Sequence, residues 1–140
     1  MKLKFIFLSL LLITFQTIWA EEAVRFTASA PSSVILDRPF QLVYTLNATG
    51  KDLRTADFAN FEVLAGPFES RSSSYQIVNG KTSSSVSVSY TYTLQALKTG
   101  TFTIASASII VDGKKYNSNG LSVKVLPADD NSSKFFGSIL

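Results

Sequence analysis

The sequence predicts an all-β domain, an immunoglobulin-like antiparallel β-sandwich of about seven strands. Three observations predict it. Ser83 to Leu97 alternates apolar and polar residues over six matched pairs, a period of two that no helix sustains. Asn79-Gly80 sits between two such alternating runs, the strongest short-range hairpin signal, because both residues tolerate the positive φ of a type I′ turn. Turn signals recur along the chain at about the eight-to-twelve-residue spacing of a sandwich. The Cys-Trp-Cys signature of antibody domains is absent, since the chain has no cysteine. A small closed β-barrel is the alternative architecture.

The elements follow in order. Residues 1–20 read as a secretory signal peptide: Lys2 and Lys4, an apolar run from Phe5 to Phe15, then Ile18-Trp19-Ala20. That run is too short for a membrane span, which needs about 20 residues. Residues 21–127 form the β domain. In its first strand Val24, Phe26 and Ala28 share one face. A second run turns Phe40, Leu42, Tyr44 and Leu46 inward. Ala48 to Asp52 read as a loop. Phe61 and Val63 belong to a further strand that Gly66-Pro67 is expected to end.

The hairpin comes next. In its second arm Val86, Val88, Tyr90, Tyr92, Leu94 and Ala96 face the core. Ser85, Ser87, Ser89, Thr91, Thr93 and Gln95 line the opposite face. Phe102 and Ile104, then Ala105, Ala107, Ile109 and Val111, change parity in mid-run, the sign of a bulge or of a stretch buried on both faces. Asp112-Gly113 makes a second tight turn. Tyr116, Leu121, Val123 and Val125 belong to the closing strands, which Pro127 ends. Residues 128–140 are a flexible tail or the truncated start of a further segment.

Composition excludes much chemistry. Without cysteine or histidine there is no disulfide, no thiol nucleophile, no Cys/His zinc site and no Ser-His-Asp triad. Leaving out Lys2 and Lys4, eleven basic residues face ten acidic ones, a net charge of +1. The longest basic run is Lys114-Lys115, so the electrostatic footprint of a nucleic-acid binder is missing. No cofactor is expected, and no transmembrane span in the mature chain. The acids Asp52, Asp57 and Glu62 lack the loop spacing of a calcium site and read as solvated side chains.

Two surfaces remain. The hydroxyl face formed by Ser85, Ser87, Ser89, Thr91, Thr93 and Gln95 is either a solvated outer face or an interaction surface, and an unpaired edge of this long arm would invite strand addition. Tyr44, Tyr75, Tyr90, Tyr92 and Tyr116 would suit a sugar-stacking platform if exposed. The inward positions of Tyr44, Tyr90 and Tyr92 assign those three to packing.

Three stretches together resemble one family. "VRFTASAPSSVILDRPFQLVYTLNA" is similar to the opening of the BatD oxygen-tolerance (aerotolerance) proteins. "FEVLAGPFESRSSSYQIVNGKTSSSVSVSYTYTLQALKTGTFTI" resembles that family's next segment, with a Gly-Pro run, Ser-rich hairpin arms around Asn-Gly, and a turn-strand. "ASIIVDGKKYNSNGLSVKVL" is similar to its closing strands. The resemblance spans Val24 to Pro127 and implies an exported N-terminal β domain, periplasmic or envelope-associated. Members are encoded beside membrane proteins with von Willebrand factor A domains, which the resemblance implies as possible partners. They are several times longer than this sequence, with further β domains and a C-terminal transmembrane helix. The expected function is thus a non-catalytic, protein-interaction module of the bacterial envelope linked to oxygen or oxidative-stress tolerance. A carbohydrate-binding β-sandwich is the alternative.

Overall fold

A computed structural model describes residues 23–128. The expected leader and tail lie outside them. Ten strands build three sheets: β1 (Phe26–Ser29), β2 (Ser33–Ile35), β3 (Phe40–Leu46), β4 (Lys51–Arg54), β5 (Phe61–Val78), β6 (Lys81–Ala96), β7 (Gly100–Ile104), β8 (Ser108–Val111), β9 (Lys114–Asn117) and β10 (Leu121–Leu126). The large sheet has the order β1-β3-β6-β5, and two three-stranded sheets have the orders β2-β10-β7 and β4-β8-β9. The sheets stay open and do not close into a barrel.

One core joins all three sheets. From the large sheet, Leu42, Tyr44, Leu46, Val88 and Leu94 are fully buried. Ile109 and Val123 meet them from the other two. Phe61 packs edge-on against Phe102 of β7, ring centroids 6.0 Å apart. Alternation puts these residues there: in β3 every second residue, Phe40 to Leu46, is buried, and the side chains of a strand point alternately to its two faces. The inward set expected for β6 is buried from Val88 to Ala96, with Val86 half-buried at its margin.

The structure corrects the strand count. The two additional strands of the N-terminal half, β2 and β4, are too short to show a period. Each exists through its partner: β2 runs parallel to β10, Val34 beside Val125, and β4 pairs with β8. The change of parity after Ile104 is a crossover, not a bulge. The chain leaves β7, passes through Ala105–Ala107 and enters β8 in a different sheet.

Gly66-Pro67 does not end its strand. β5 runs on to Val78, with its register against β6 shifting between Val63 and Ala65 and again between Ala65 and Phe68. The peptide bond between Gly66 and Pro67 is cis. Proline is tolerated here because β5 is an edge strand, where a missing N–H need not break a ladder. Glycine is required beside it: Gly66 has φ 105°, and a Cβ would press on the Thr91 carbonyl oxygen. Asn79 and Gly80, with φ 53° and 73°, form the expected tight turn.

Candidate interaction surface

The β5–β6 hairpin outgrows the sandwich. β3 accompanies β6 only from Leu94 to Val88, opposite Phe40 to Leu46. Beyond that point β5 and β6 continue as a two-stranded ribbon, paired in register from Arg71↔Val88 to Val78↔Lys81. At about 3.3 Å per residue its arm from Arg71 to Val78 reaches roughly 23 Å. All of Gly66–Ser85 is exposed on both faces.

The ribbon concentrates exposed apolar side chains. Of the eight large exposed hydrophobics among the described residues, six lie on β5: Val63, Leu64, Phe68, Tyr75, Ile77 and Val78. Pairing with β6 assigns their faces. Tyr75↔Ser84 and Ile77↔Thr82 continue the core-facing side of β6, whereas Phe68↔Thr91 and Val78↔Lys81 belong to the outer side.

The six residues of the candidate hydroxyl face do share one side of β6. Ser85 and Ser87 stand exposed on the ribbon, and Ser89, Thr91, Thr93 and Gln95 are half-buried over the sandwich. Neighbouring strands extend the face with Ser70, Ser72 and Ser74 on β5 and with Gln41 and Thr45 on β3. The Ser74 and Ser85 hydroxyls bond to each other. Ser74, Gln76, Ser83, Ser84 and Ser85 line a shallow hollow near the tip.

The long arm β6 is covered on both sides along the sandwich, by β3 and β5, and open only on the ribbon. The long open edge belongs to β5, which sequence periodicity alone did not single out. The signal was present in Phe68, Tyr75, Ile77 and Val78, apolar residues on both faces of one arm that no single core could bury.

The two edges of the large sheet are treated differently. On β1 the Asn119 carboxamide takes the place of a neighbouring strand: the Ala28 N–H donates to its Oδ1 at 2.8 Å, and its Nδ2 donates to the Ala28 carbonyl at 3.1 Å. Asn47 extends the other side of β1 in the same way, accepting from the Arg25 N–H at 2.7 Å and donating to the Ala23 carbonyl at 2.9 Å. Among the described residues no comparable side-chain hydrogen bond is made along β5 from Phe68 to Val78 toward its open edge.

The tyrosines divide as their positions imply. Tyr44, Tyr90 and Tyr92 are buried and Tyr75 is exposed. Tyr116 is half-buried. Tyr44 stacks on Phe26 at 5.8 Å and meets Tyr92 edge-on at 6.0 Å. Burial pushes the Tyr44 hydroxyl up to about 12, with the neighbouring Tyr92 adding to the effect. Tyr90 is raised too, first by burial and then by the Glu69 carboxylate, with Arg71 drawing it back. For Tyr92 burial raises and a hydrogen bond with Thr55 lowers. The two well-exposed aromatic rings, Phe68 and Tyr75, lie on opposite faces of the hairpin, so they form no common platform for a sugar ring.

Asp52, Asp57 and Glu62 are exposed, and the structure does not bring them together. Among the described residues no three side chains of His, Cys, Asp or Glu are grouped to hold a metal ion. No helix among them is long and apolar enough to cross a membrane.

The BatD DUF11-like domain family matches residues 27–125. No curated protein matches the chain. Among solved structures, a cohesin module from a Clostridium perfringens ATCC13124 family 33 glycoside hydrolase is similar, with 10% identity and a TM-score of 0.42. The match covers 76% of this chain and 99% of that one.

Proposed function

The chain belongs to the BatD family, and from that premise we propose that it is a non-catalytic protein-interaction module of the bacterial cell envelope, linked to oxygen or oxidative-stress tolerance, whose binding element is the β5–β6 ribbon. The observation that carries this reading is the ribbon itself. A core-building hairpin needs to extend no further than its neighbouring strands, yet this one continues past β3 with its apolar residues in water. Long, exposed, apolar strand edges are an aggregation hazard that proteins ordinarily blunt, and retaining one is understandable where the edge has an occupant.

The residue inventory supports a module without catalysis. There is no histidine or cysteine, and the rings of Tyr44, Tyr90 and Tyr92 are buried as part of the core. Export to the periplasm or envelope, and von Willebrand factor A membrane proteins as partners, are what the family resemblance implies and belong to this proposal.

The test is a capture experiment. The purified chain is immobilised and offered detergent-solubilised envelope, beside a variant with the ribbon shortened. Recovery of von Willebrand factor A membrane proteins by the intact chain and not by the shortened one supports the reading. Equal recovery by both, or recovery of polysaccharide alone, would sink it.

A further inference from the structure

We propose that the occupant of the open β5 edge is a second copy of this chain, paired antiparallel to the first about a two-fold axis through Ser73. The proposal deepens the reading of the ribbon as the binding element and rests on it.

Backbone geometry comes first. Val78 and Lys81 flank a two-residue turn, and such a flanking pair exchanges both of its backbone hydrogen bonds. The register of β5 is regular from there back to Phe68. Alternation therefore turns the N–H and C=O groups of Ile77, Tyr75, Ser73, Arg71 and Glu69 away from β6, toward the open edge. A two-fold at Ser73 maps these five residues onto themselves: Ser73 meets Ser73, Arg71 meets Tyr75, and Glu69 meets Ile77 of the second copy. Every outward backbone group from Glu69 to Ile77 gains a partner.

Side chains agree with this register. Residues directly opposite in an antiparallel pair share a face. Phe68 falls opposite Val78 of the second copy, joining two side chains that are 63% and 58% exposed in the single chain. Arg71 falls opposite Tyr75, a cation over an aromatic face, and Tyr75 is 69% exposed. Ser72 meets Ser74, and Ser70 meets Gln76. Glu69 and Ile77 lie at the ladder ends, where the carboxylate stays in water.

A competing register is weaker. Centring on Ser70 would gain two Glu69–Arg71 pairs, which are exposed and worth little in water. Against that, it would bring Pro67, which has no N–H, opposite Ser73, and run the ladder into the irregular stretch between Ala65 and Phe68. The Ser73 register stops short of that irregularity. The opposite edge of the sheet is not available in the same way, because Asn119 occupies the outward groups of Ala28.

The experiment measures mass and register together. Sedimentation of the purified chain is expected to show a concentration-dependent doubling of mass. Ser73→Pro removes a central outward N–H that β6 does not use, and is expected to leave a folded monomer. The chain has no cysteine, so introduced thiols report cleanly. A mixture of Ser72→Cys and Ser74→Cys chains is expected to cross-link on mild oxidation, because such non-hydrogen-bonded pairs bring Cα atoms to about 4.5 Å. A mixture of Ser70→Cys and Ser74→Cys chains is expected not to. A chain monomeric at every concentration overturns the proposal, as does a dimer in which neither mixture, or only the second, cross-links. If Ser73→Pro fails to fold, the cross-linking arm still decides. A monomer that captures envelope proteins through its ribbon overturns self-pairing alone. Capture that is indifferent to the ribbon overturns the reading on which self-pairing rests.

Discussion

The carboxamide of Asn119 holds both backbone polar groups of Ala28, at 2.8 and 3.1 Å, across 91 residues of chain. One side chain thus stands in for one residue of a neighbouring strand at the edge of β1. The adjacent Ser118 makes a similar clasp on Ala107: its N–H donates to the Ala107 carbonyl at 2.8 Å, and its Oγ accepts from the Ala107 N–H at 2.9 Å. The corner between β9 and β10 therefore ties the β1 edge to the crossover between β7 and β8.

Asn119→Ala is expected to lower stability by about 1–3 kcal/mol, since two neutral hydrogen bonds are lost and the Ala28 groups are left partly buried. Denaturant unfolding checks it. A change below a few tenths of a kcal/mol would mean that water replaces the carboxamide at no cost.

Tyr44→Phe is expected to stabilise the domain by about 1 kcal/mol. The Tyr44 hydroxyl is buried with no hydrogen-bond partner among the described residues, and a buried polar group without a partner is costly. The ring contacts with Phe26 and Tyr92 are kept. A drop in melting temperature would reveal an ordered water that completes the hydroxyl.

The same burial sets an alkaline limit. Tyr44 is raised from 10.0 to about 12 in the folded chain, so between those values the unfolded chain loses its proton while the folded chain keeps it. Stability from this group is complete below pH 10 and declines as pH climbs toward about 12. Tyr90 and Tyr92, raised chiefly by burial, act in the same direction. Melting temperature followed over this range should fall less steeply in Tyr44→Phe than in the parent.

Tyr92→Ala is expected to cost about 3–5 kcal/mol, the usual loss for a buried aromatic. Its ring is buried and meets Tyr44 at 6.0 Å and Phe58 at 5.6 Å. That is a large share of the about 5–15 kcal/mol by which an ordinary domain is stable. An unchanged thermal midpoint would contradict the inward facing of β6.

Removing Tyr75–Val78 and Lys81–Ser84, so that Asn79-Gly80 closes on the hydrogen-bonded pair Ser74 and Ser85, is expected to change stability by no more than about 0.5 kcal/mol. All eight deleted residues are exposed, and surface changes away from buried features stay within that range. A large loss would show that the ribbon tip supports the core. Half-buried Val86 is retained because it packs against that core.

The strand faces were legible from sequence wherever one side of a strand is buried. Phe40 to Leu46 and Val88 to Ala96 alternate because a period of two is the only way a pleated chain can present one apolar face. The type I′ turn at Asn79-Gly80 was legible for an equally local reason, the positive φ that both residues accept. The strands missed, β2 and β4, have three and four residues and too little pattern to read. Their existence depends on partners that lie far along the chain. The parity change after Ile104 was visible, but its cause was a move between sheets.

The candidate surface divides in the same way. Sequence by itself determined that Ser85 to Gln95 share a polar face, because alternation is a property of the strand alone. Tertiary structure decided which edge is open, since that depends on which strands lie beside it. Pairing placed β6 inside the sheet and β5 at its margin, let Gly66-Pro67 sit within an edge strand, and stopped β3 at Leu46 while the hairpin went on. Alternation is a one-strand property, whereas an edge exists only relative to the neighbours a strand lacks.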